Sequence, residues 1–141
     1  MSYQEKLDHI ITSQLDALAL DTDKEGRFPR AVIDALASAG LMGLVSSKDV
    51  GGMGLGLAEA SVVVSRLAQS CPSTAMIVCM HYCAVAVLQQ FGDKTVRTEI
   101  AAGRHLNTLA FSELESRSHF WAPASTAAKD GDRSEEHTSE L

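Results

Sequence analysis

The segment from Ser112 to Pro123 gathers the side chains best suited to bind a ligand. Within twelve residues, SELESRSHFWAP, it combines three serine hydroxyls, an arginine, a histidine and two aromatic rings. Hydroxyl and amide groups can hold a phosphate or the polar edge of a planar ring, and Trp121 can stack on such a ring. A polar loop with one packed tryptophan is an equally favoured alternative. No nucleophilic triad is predicted, because nothing in the sequence places a base beside a nucleophile.

Cys79, His81 and Cys83 have the residue types of a metal site but not its geometry. On a helix the two cysteines share a face, whereas His81 points to the opposite side. The three side chains cannot converge on one ion, so no metal site is predicted. Two interpretations of His81 stay open: a buried imidazole with satisfied nitrogens, and a residue that lines a binding pocket.

A glycine-rich segment, GGMGLG at residues 51–56, precedes a predicted helix, whose N-terminus could bind an anion. The segment follows helices and not a strand, and it lacks the Lys-Ser/Thr pair of a phosphate-binding loop. The pattern therefore favours a turn in which glycine supplies positive φ angles.

Hydrophobic periodicity predicts five helices before residue 104. Their ranges are 7–18, 28–39, 57–69, 73–91 and a last helix that Asp93 caps and Gly103 ends. The fourth has almost no polar face, which is typical of a helix buried all round in a larger assembly. Residues 105–112 then favour a single strand. A lone strand leaves its backbone groups unpaired, so its partner strands are expected outside this sequence.

The composition is that of a packed, acidic domain. The 141 residues are 45% apolar and carry a formal net charge of -6, which argues against non-specific binding of nucleic acid. Three cysteines in apolar surroundings are typical of reduced thiols, and they favour a cytoplasmic location. The N-terminus lacks the pattern of a signal peptide. The longest apolar run, 75–88, is shorter than the roughly 20 residues that span a bilayer.

Four segments, in this order, resemble the N-terminal portion of the acyl-CoA dehydrogenase family of flavoproteins. They are FPRAVIDALASAGLMGL, DVGGMGLG, STAMIVCMH and LAFSELESRSHFWAP, and the resemblance covers about residues 5–132. It implies a mainly α fold class, with an N-terminal helical domain at 1–104 and the first strand of a truncated middle β-domain at 105–132. A C-terminal four-helix domain would follow in the full-length parent. FAD is the implied cofactor, bound between domains and subunits of a homo-oligomer.

The same resemblance implies roles for individual residues. Leu109, Phe111 and Ser112 would face the flavin ring, and Ser112 would donate a hydrogen bond to its pyrimidine side. Ser118 would lie near the FAD pyrophosphate or the acyl-CoA substrate. His81 lies on the helix that resembles the lining of the acyl pocket, which makes it a candidate substrate-binding residue.

The implied reaction removes a proton from the α-carbon of an acyl-CoA thioester and passes the β-hydride to flavin N5. The electrons then go to an acceptor protein or to oxygen. The catalytic base of the family is a glutamate of the C-terminal domain, so no catalytic residue is assigned here and the fragment is expected to be inactive. One alternative is a flavin-dependent monooxygenase of the same superfamily. Another is a non-enzymatic helical interaction module whose apolar helix docks a partner.

The last nine residues, Arg133–Leu141, resemble a translated sequencing adapter. Their sequence, RSEEHTSEL, is the in-frame translation of AGATCGGAAGAGCACACGTCTGAACTC. We therefore expect Asp132 to be the last native residue, and such a segment has no place in reasoning about the fold. Sequencing of the gene beyond codon 132 tests this, and a natural stop codon after Leu141 would contradict it. The alternative is a solvated acidic tail.

Overall fold

The computed structural model describes residues 1–110, 119, 121–122, 124–131 and 133–136. Its α-helices are Tyr3–Ile10 (α1), Asp16–Glu25 (α2), Arg30–Ser38 (α3), Leu57–Ser70 (α4), Pro72–Phe91 (α5) and Lys94–Ala101 (α6). A π-helical segment at Ile11–Leu15 joins α1 to α2, and 3-10 turns occupy Leu41–Gly43 and Lys48–Val50. Two short strands, Ala127–Asp130 (β1) and Arg133–Glu136 (β2), pair as an antiparallel hairpin. The predicted mainly α fold class is confirmed.

The first predicted helix is longer than its sequence pattern indicates. Helical residues run from Tyr3 to Glu25, and Gly26, with a φ of 61°, ends the run. At the start, the Glu5 N–H donates to Ser2 Oγ at 3.2 Å, and the Ser2 N–H donates to the Glu5 carboxylate at 2.6 Å. Within α2 only Thr22 is buried. No apolar stripe therefore marks this extension in the sequence.

The core forms where α4 and α5 pack against each other and against the preceding helices. Its largest fully buried side chains include Leu7, Leu15, Leu36, Leu41, Leu44, Val63, Leu67, Val78 and Val85. Pro72 starts α5, at a position where its missing N–H costs no helical hydrogen bond. Within this chain α5 is not buried all round, because Met76 and Phe91 are 62% and 85% exposed.

Among the described helices, α5 is long and apolar enough by length and composition to cross a membrane. Its 20 residues extend beyond the apolar run at 75–88, which by itself is too short to predict a membrane span. The core helix of a folded domain meets the same criterion, and seven residues of α5 are buried within this fold. Length and composition are therefore weak evidence for a span.

The predicted strand at 105–112 is not formed over its described part, residues 105–110, which has no regular secondary structure. A strand needs a neighbouring strand, and here the backbone N–H of Asn107 bonds to a side chain instead. Residues 111 and 112 lie outside the described residues. The prediction of this strand is therefore wrong for residues 105–110.

The strands that the structure describes lie further along the chain. In the hairpin, Ala127 pairs with Glu136 and Asp130 with Arg133. Strand β2 thus consists of residues from the tail that is predicted to be non-native, and that prediction stands untested. The chain divides into two compact units, Met1–Thr108 and Leu109–Leu141. The domain boundaries predicted after residues 104 and 132 also stay predictions.

Candidate functional site

An apolar groove runs along the N-terminal half of α5. One cavity of about 330 Å³ is lined by Phe28, Met76, Ile77, Met80, Leu106, Asn107 and Thr108. A second cavity of about 540 Å³ shares Phe28, Met76 and Ile77 with the first and extends to Gly26 and Pro72. Both volumes fall in the range of small-molecule pockets, roughly 300–1,000 Å³. The groove therefore has room for an elongated apolar ligand.

Helical spacing and one loop bring the groove side chains together. Met76 and Met80 lie one turn apart on α5, so they share a face. Phe28 comes from the loop before α3, where the guanidinium of Arg30 lies 4.8 Å from its ring centroid. Methionine side chains are flexible and polarizable, so they adapt to ligands of different shape. The methionine side of the groove can therefore adapt to its ligand.

His81 is fully buried, and both of its ring nitrogens are bonded to backbone groups. Nε2 lies 2.9 Å from the carbonyl oxygen of Met42, which can only accept a hydrogen bond, so Nε2 carries the proton. Nδ1 accepts a hydrogen bond of 3.2 Å from the N–H of Asn107. These contacts fix a neutral imidazole protonated at Nε2. The ring is therefore a buried, satisfied imidazole, and its role in substrate binding stays a prediction.

His81 should make the stability of the domain depend on pH. Burial lowers the pKa of His81, and this effect exceeds the opposing one of the hydrogen bond to Met42. Since the unfolded chain takes up the proton near pH 6.5 while the folded chain does not, the free energy of unfolding should fall as the pH drops below about 6.5. The limiting slope for one proton is about 1.4 kcal/mol per pH unit.

Urea unfolding between about pH 7.5 and 5 measures this dependence. The variant His81→Asn cannot titrate there, so its stability should fall less steeply with pH than that of the wild type. The two proteins differ at position 81 alone, so a difference between their pH profiles belongs to that side chain. Identical pH profiles for the two proteins would contradict the prediction.

Tyr82, next to His81 in the sequence, bonds to the same 3-10 turn. Its hydroxyl donates to the carbonyl oxygen of Leu41 at 2.7 Å, and burial raises the pKa of Tyr82 above its ordinary value. Gly43 of this turn lies so close to Ala101 that a Cβ would come within 2.3 Å of the Ala101 carbonyl oxygen. The turn at Leu41–Gly43 is therefore clamped between α5 and α6.

The glycine-rich loop makes a turn and offers no anion site through the amides of residues 52–55. Their N–H groups donate to the carbonyl oxygens of Ser47, Gly43, Ser46 and Leu44, in that order. Gly51 and Gly54 have positive φ angles of 91° and 64°. The interpretation of this loop as a turn is confirmed.

A half-buried polar cluster connects this loop to α5 and α6. Nη2 of Arg97 donates to Ser47 Oγ at 2.9 Å and to Gln89 Oε1 at 3.3 Å, and it lies 3.4 Å from an Asp49 carboxylate oxygen. The hydrogen bond from Ser47, aided by the charge of Arg97, lowers the pKa of Asp49. Among the described residues, Gln89 Nε2 and Arg97 Nε are buried without a hydrogen-bond partner. The cluster ties the loop to the helices, and no chemistry is assigned to it.

The structure describes two of the predicted site residues, His81 and Leu109. Leu109 is half-buried in the irregular segment 104–110. Phe111, Ser112 and Ser118 lie outside the described residues. Beyond them, the rings of His119 and Trp121 are 4.9 Å apart and tilted by 57°. The described part of the chain contains no group of three or more His, Cys, Asp or Glu side chains that could hold a metal ion.

Cys79 and Cys83 are free, half-buried thiols. Burial, followed by the neighbouring Cys79, raises the pKa of the Cys83 thiol. A thiol with a raised pKa is a weak nucleophile at neutral pH, so Cys83 shows no sign of activation.

The groove itself was not predicted from the sequence. Met76 and Met80 have the right spacing for a shared face, but on a helix that is apolar almost all round this spacing does not stand out. The hydrogen bond between His81 and Asn107 joins residues 26 positions apart, so no local sequence pattern predicts it.

Comparisons with known proteins place these residues in a family. A family model described as acyl-CoA dehydrogenase, N-terminal domain, matches residues 2–103. The acryloyl-CoA reductase (NADH) of Anaerotignum propionicum is 29% identical over 126 residues, which cover 86% of this chain and 32% of that protein. The mitochondrial short-chain specific acyl-CoA dehydrogenase of Bos taurus is 29% identical, with 84% and 30% covered. The mitochondrial isobutyryl-CoA dehydrogenase of Dictyostelium discoideum is 29% identical, with 78% and 27% covered.

The chain spans about a third of the length of these curated relatives. No solved structure matches the chain.

Proposed function

We propose, since the chain belongs to the acyl-CoA dehydrogenase N-terminal domain family, that its full-length parent catalyses FAD-dependent α,β-dehydrogenation of an acyl-CoA thioester. The family match over residues 2–103 carries this proposal, because it takes in the six α-helices that the structure describes, and with them the groove-lining part of α5. The names of the three relatives all refer to a CoA thioester. This chain by itself, which has no assigned catalytic base, is proposed to be inactive.

The groove is the part of the substrate site that we assign to this chain. Its lining side chains are mostly apolar, and they can remove an acyl chain from water. Each buried methylene contributes about 0.8 kcal/mol to binding in this way. Thr108 and Asn107 lie at one wall and offer the polar groups that orient a ligand. The groove can thus hold an acyl chain along its apolar lining and orient it at the polar wall.

FAD is the cofactor that we propose for the parent. Of its assigned contacts the structure describes Leu109, a half-buried apolar side chain that would pack against the flavin ring. When bound, FAD accepts the hydride. We further propose that the electrons pass to an acceptor protein or to oxygen. The parent would form a homo-oligomer and lie in the cytoplasm.

The full-length parent provides the test. We expect the purified protein to contain flavin, seen by its absorbance, and to reduce an electron-accepting dye only when an acyl-CoA is added. The protein could instead contain flavin, fail to reduce the dye and consume oxygen once its flavin is reduced. That outcome would favour the alternative of a flavin-dependent monooxygenase. A flavin-free helical monomer with no activity would favour the alternative of a non-enzymatic helical interaction module.

Met76→Arg tests the groove. Met76 lines both cavities and is 62% exposed, so the arginine can be accommodated by the fold but puts a charge where an acyl chain would lie. We expect the KM of the parent for an acyl-CoA to rise by about tenfold, equivalent to about 1.4 kcal/mol of lost binding, with kcat little changed.

Val87→Arg is the matched control. Val87 is 40% exposed on the same helix and lines neither cavity of the groove. Its replacement should leave KM unchanged. Equal KM values for wild type and Met76→Arg would remove the groove from the substrate site without affecting the family assignment.

A further inference from the structure

We propose that His81 is a positioning residue whose Nδ1 holds residues 106–108 against α5 and so sets one wall of the groove. The inference rests on the proposed function, since the groove is the acyl site assigned to this chain. It concerns a residue that does not itself line either cavity of the groove. His81 would act on the ligand only through the backbone that it holds.

The contact lies at the centre of that wall. Leu106, Asn107 and Thr108 are consecutive lining residues, and the N–H of the middle one donates to His81 Nδ1. Just before this segment the chain leaves α6, where the backbone N–H of Arg104 donates to the carbonyl oxygen of Glu99 at 2.9 Å. Between Arg104 and Thr108 the segment has no regular secondary structure. The hydrogen bond to His81 therefore determines how closely the wall approaches α5.

The opposite side of the imidazole ring is equally fixed. Its Nε2–H donates to Met42, in the middle of the 3-10 turn that Tyr82 and Ala101 also contact. Because this donor fixes the proton on Nε2, Nδ1 is left as an acceptor aimed at Asn107. The ring is fully buried, so water cannot take over either contact. A wall fixed before the ligand arrives costs less ordering entropy on binding.

Two amide variants separate the two ring nitrogens. The side-chain amide of asparagine reaches the position of Nδ1, whereas that of glutamine reaches the position of Nε2. His81→Asn therefore keeps a partner for the N–H of Asn107 and loses the one for Met42. His81→Gln does the reverse. A purely structural role would make the two variants similar, since each loses one buried hydrogen bond.

Amide hydrogen exchange of this chain, followed by NMR, reads the contact directly. In His81→Gln the Asn107 amide should exchange about tenfold faster than in the wild type, because it has lost its acceptor. In His81→Asn its exchange should stay within about threefold of the wild type. Unchanged exchange in His81→Gln would overturn the proposal, as would equally fast exchange in both variants.

Steady-state kinetics of the full-length parent measure the effect of this contact on substrate binding. In His81→Gln we expect KM for an acyl-CoA to rise by about fivefold with kcat within about twofold, and in His81→Asn a KM close to that of the wild type. An unchanged KM in His81→Gln, despite faster exchange at Asn107, would show that the contact does not set the wall. If the parent has no acyl-CoA activity at all, the proposed function fails, while the exchange result still decides what His81 holds.

Discussion

Gly52→Ala is expected to destabilise the domain by about 3 kcal/mol, near the upper end for overpacked sites. A Cβ at this position would lie 2.1 Å from the carbonyl oxygen of Ser46 and 2.4 Å from its carbonyl carbon. These are backbone atoms, so no side-chain rotation relieves the overlap. The oxygen of Ser46 is also the acceptor for the N–H of Gly54 at 2.8 Å. Moving it would break the hydrogen bonds that fold the glycine-rich loop.

Gly51→Ala is the matched control for this loop. Gly51 precedes Gly52 directly, and a Cβ there meets no atom within 4 Å. Its φ of 91° makes the substitution strained, at a cost of roughly 1–2 kcal/mol for a left-handed residue. Urea unfolding followed by circular dichroism gives both free energies. Gly52→Ala should cost clearly more than Gly51→Ala, and equal losses would contradict the close approach of Ser46.

The two glycines show what a sequence pattern can and cannot specify in a loop. A cluster of glycines excludes a regular element, so the turn is predictable from residue types alone. Which glycine needs a positive φ and which needs empty space depends on the pairing of residues 52–55 with the stretch 43–47. That pairing is a property of the folded chain. The helices α3 to α6 are different, because local periodicity and caps such as Asp93, whose side chain accepts from the Val96 N–H at 2.9 Å, mark them in the sequence.

Two segments differ from the structure that their sequence predicts, for different physical reasons. Residues 105–110 have a strand-like composition, yet composition cannot supply the neighbouring strand that a ladder requires. The N–H of Asn107 instead finds an acceptor on α5. The part of α2 beyond residue 18 lies outside the predicted helix 7–18, because it continues α1 and needs few apolar residues of its own. At 105–110 a contact outside the local sequence decides the structure, whereas in α2 the preceding helix does.

His81 shows how far the candidate site could be predicted. Helical geometry predicts that it points away from Cys79 and Cys83, but it leaves open whether the ring is a buried structural group or a pocket residue. The structure buries the ring and engages both nitrogens, with partners 39 and 26 residues away in the sequence. Its proposed action on the groove therefore depends on tertiary contacts that no spacing rule contains.

Leu67→Ala, the second large effect, is expected to lower the free energy of unfolding by about 3 kcal/mol. Leu67 is fully buried on α4, the helix that packs along α5, and its removal leaves a cavity in the core. The backbone oxygen of Leu67 accepts from the N–H of Cys71 in a hydrogen bond that the substitution keeps, so the cost is one of lost side-chain packing.

Leu57→Ala makes the same chemical change on the same helix, at a side chain that is 76% exposed. It should change the free energy of unfolding by less than about 0.5 kcal/mol, as is usual at the surface. Comparable losses for the two variants would mean that α4 is not held against the core through Leu67.

Leu67→Ala and Met76→Arg together distinguish an effect on stability from an effect on binding. Leu67 lies in the core and lines neither cavity of the groove, so Leu67→Ala should weaken the fold without changing the affinity of those molecules that remain folded, whereas Met76→Arg should do the reverse.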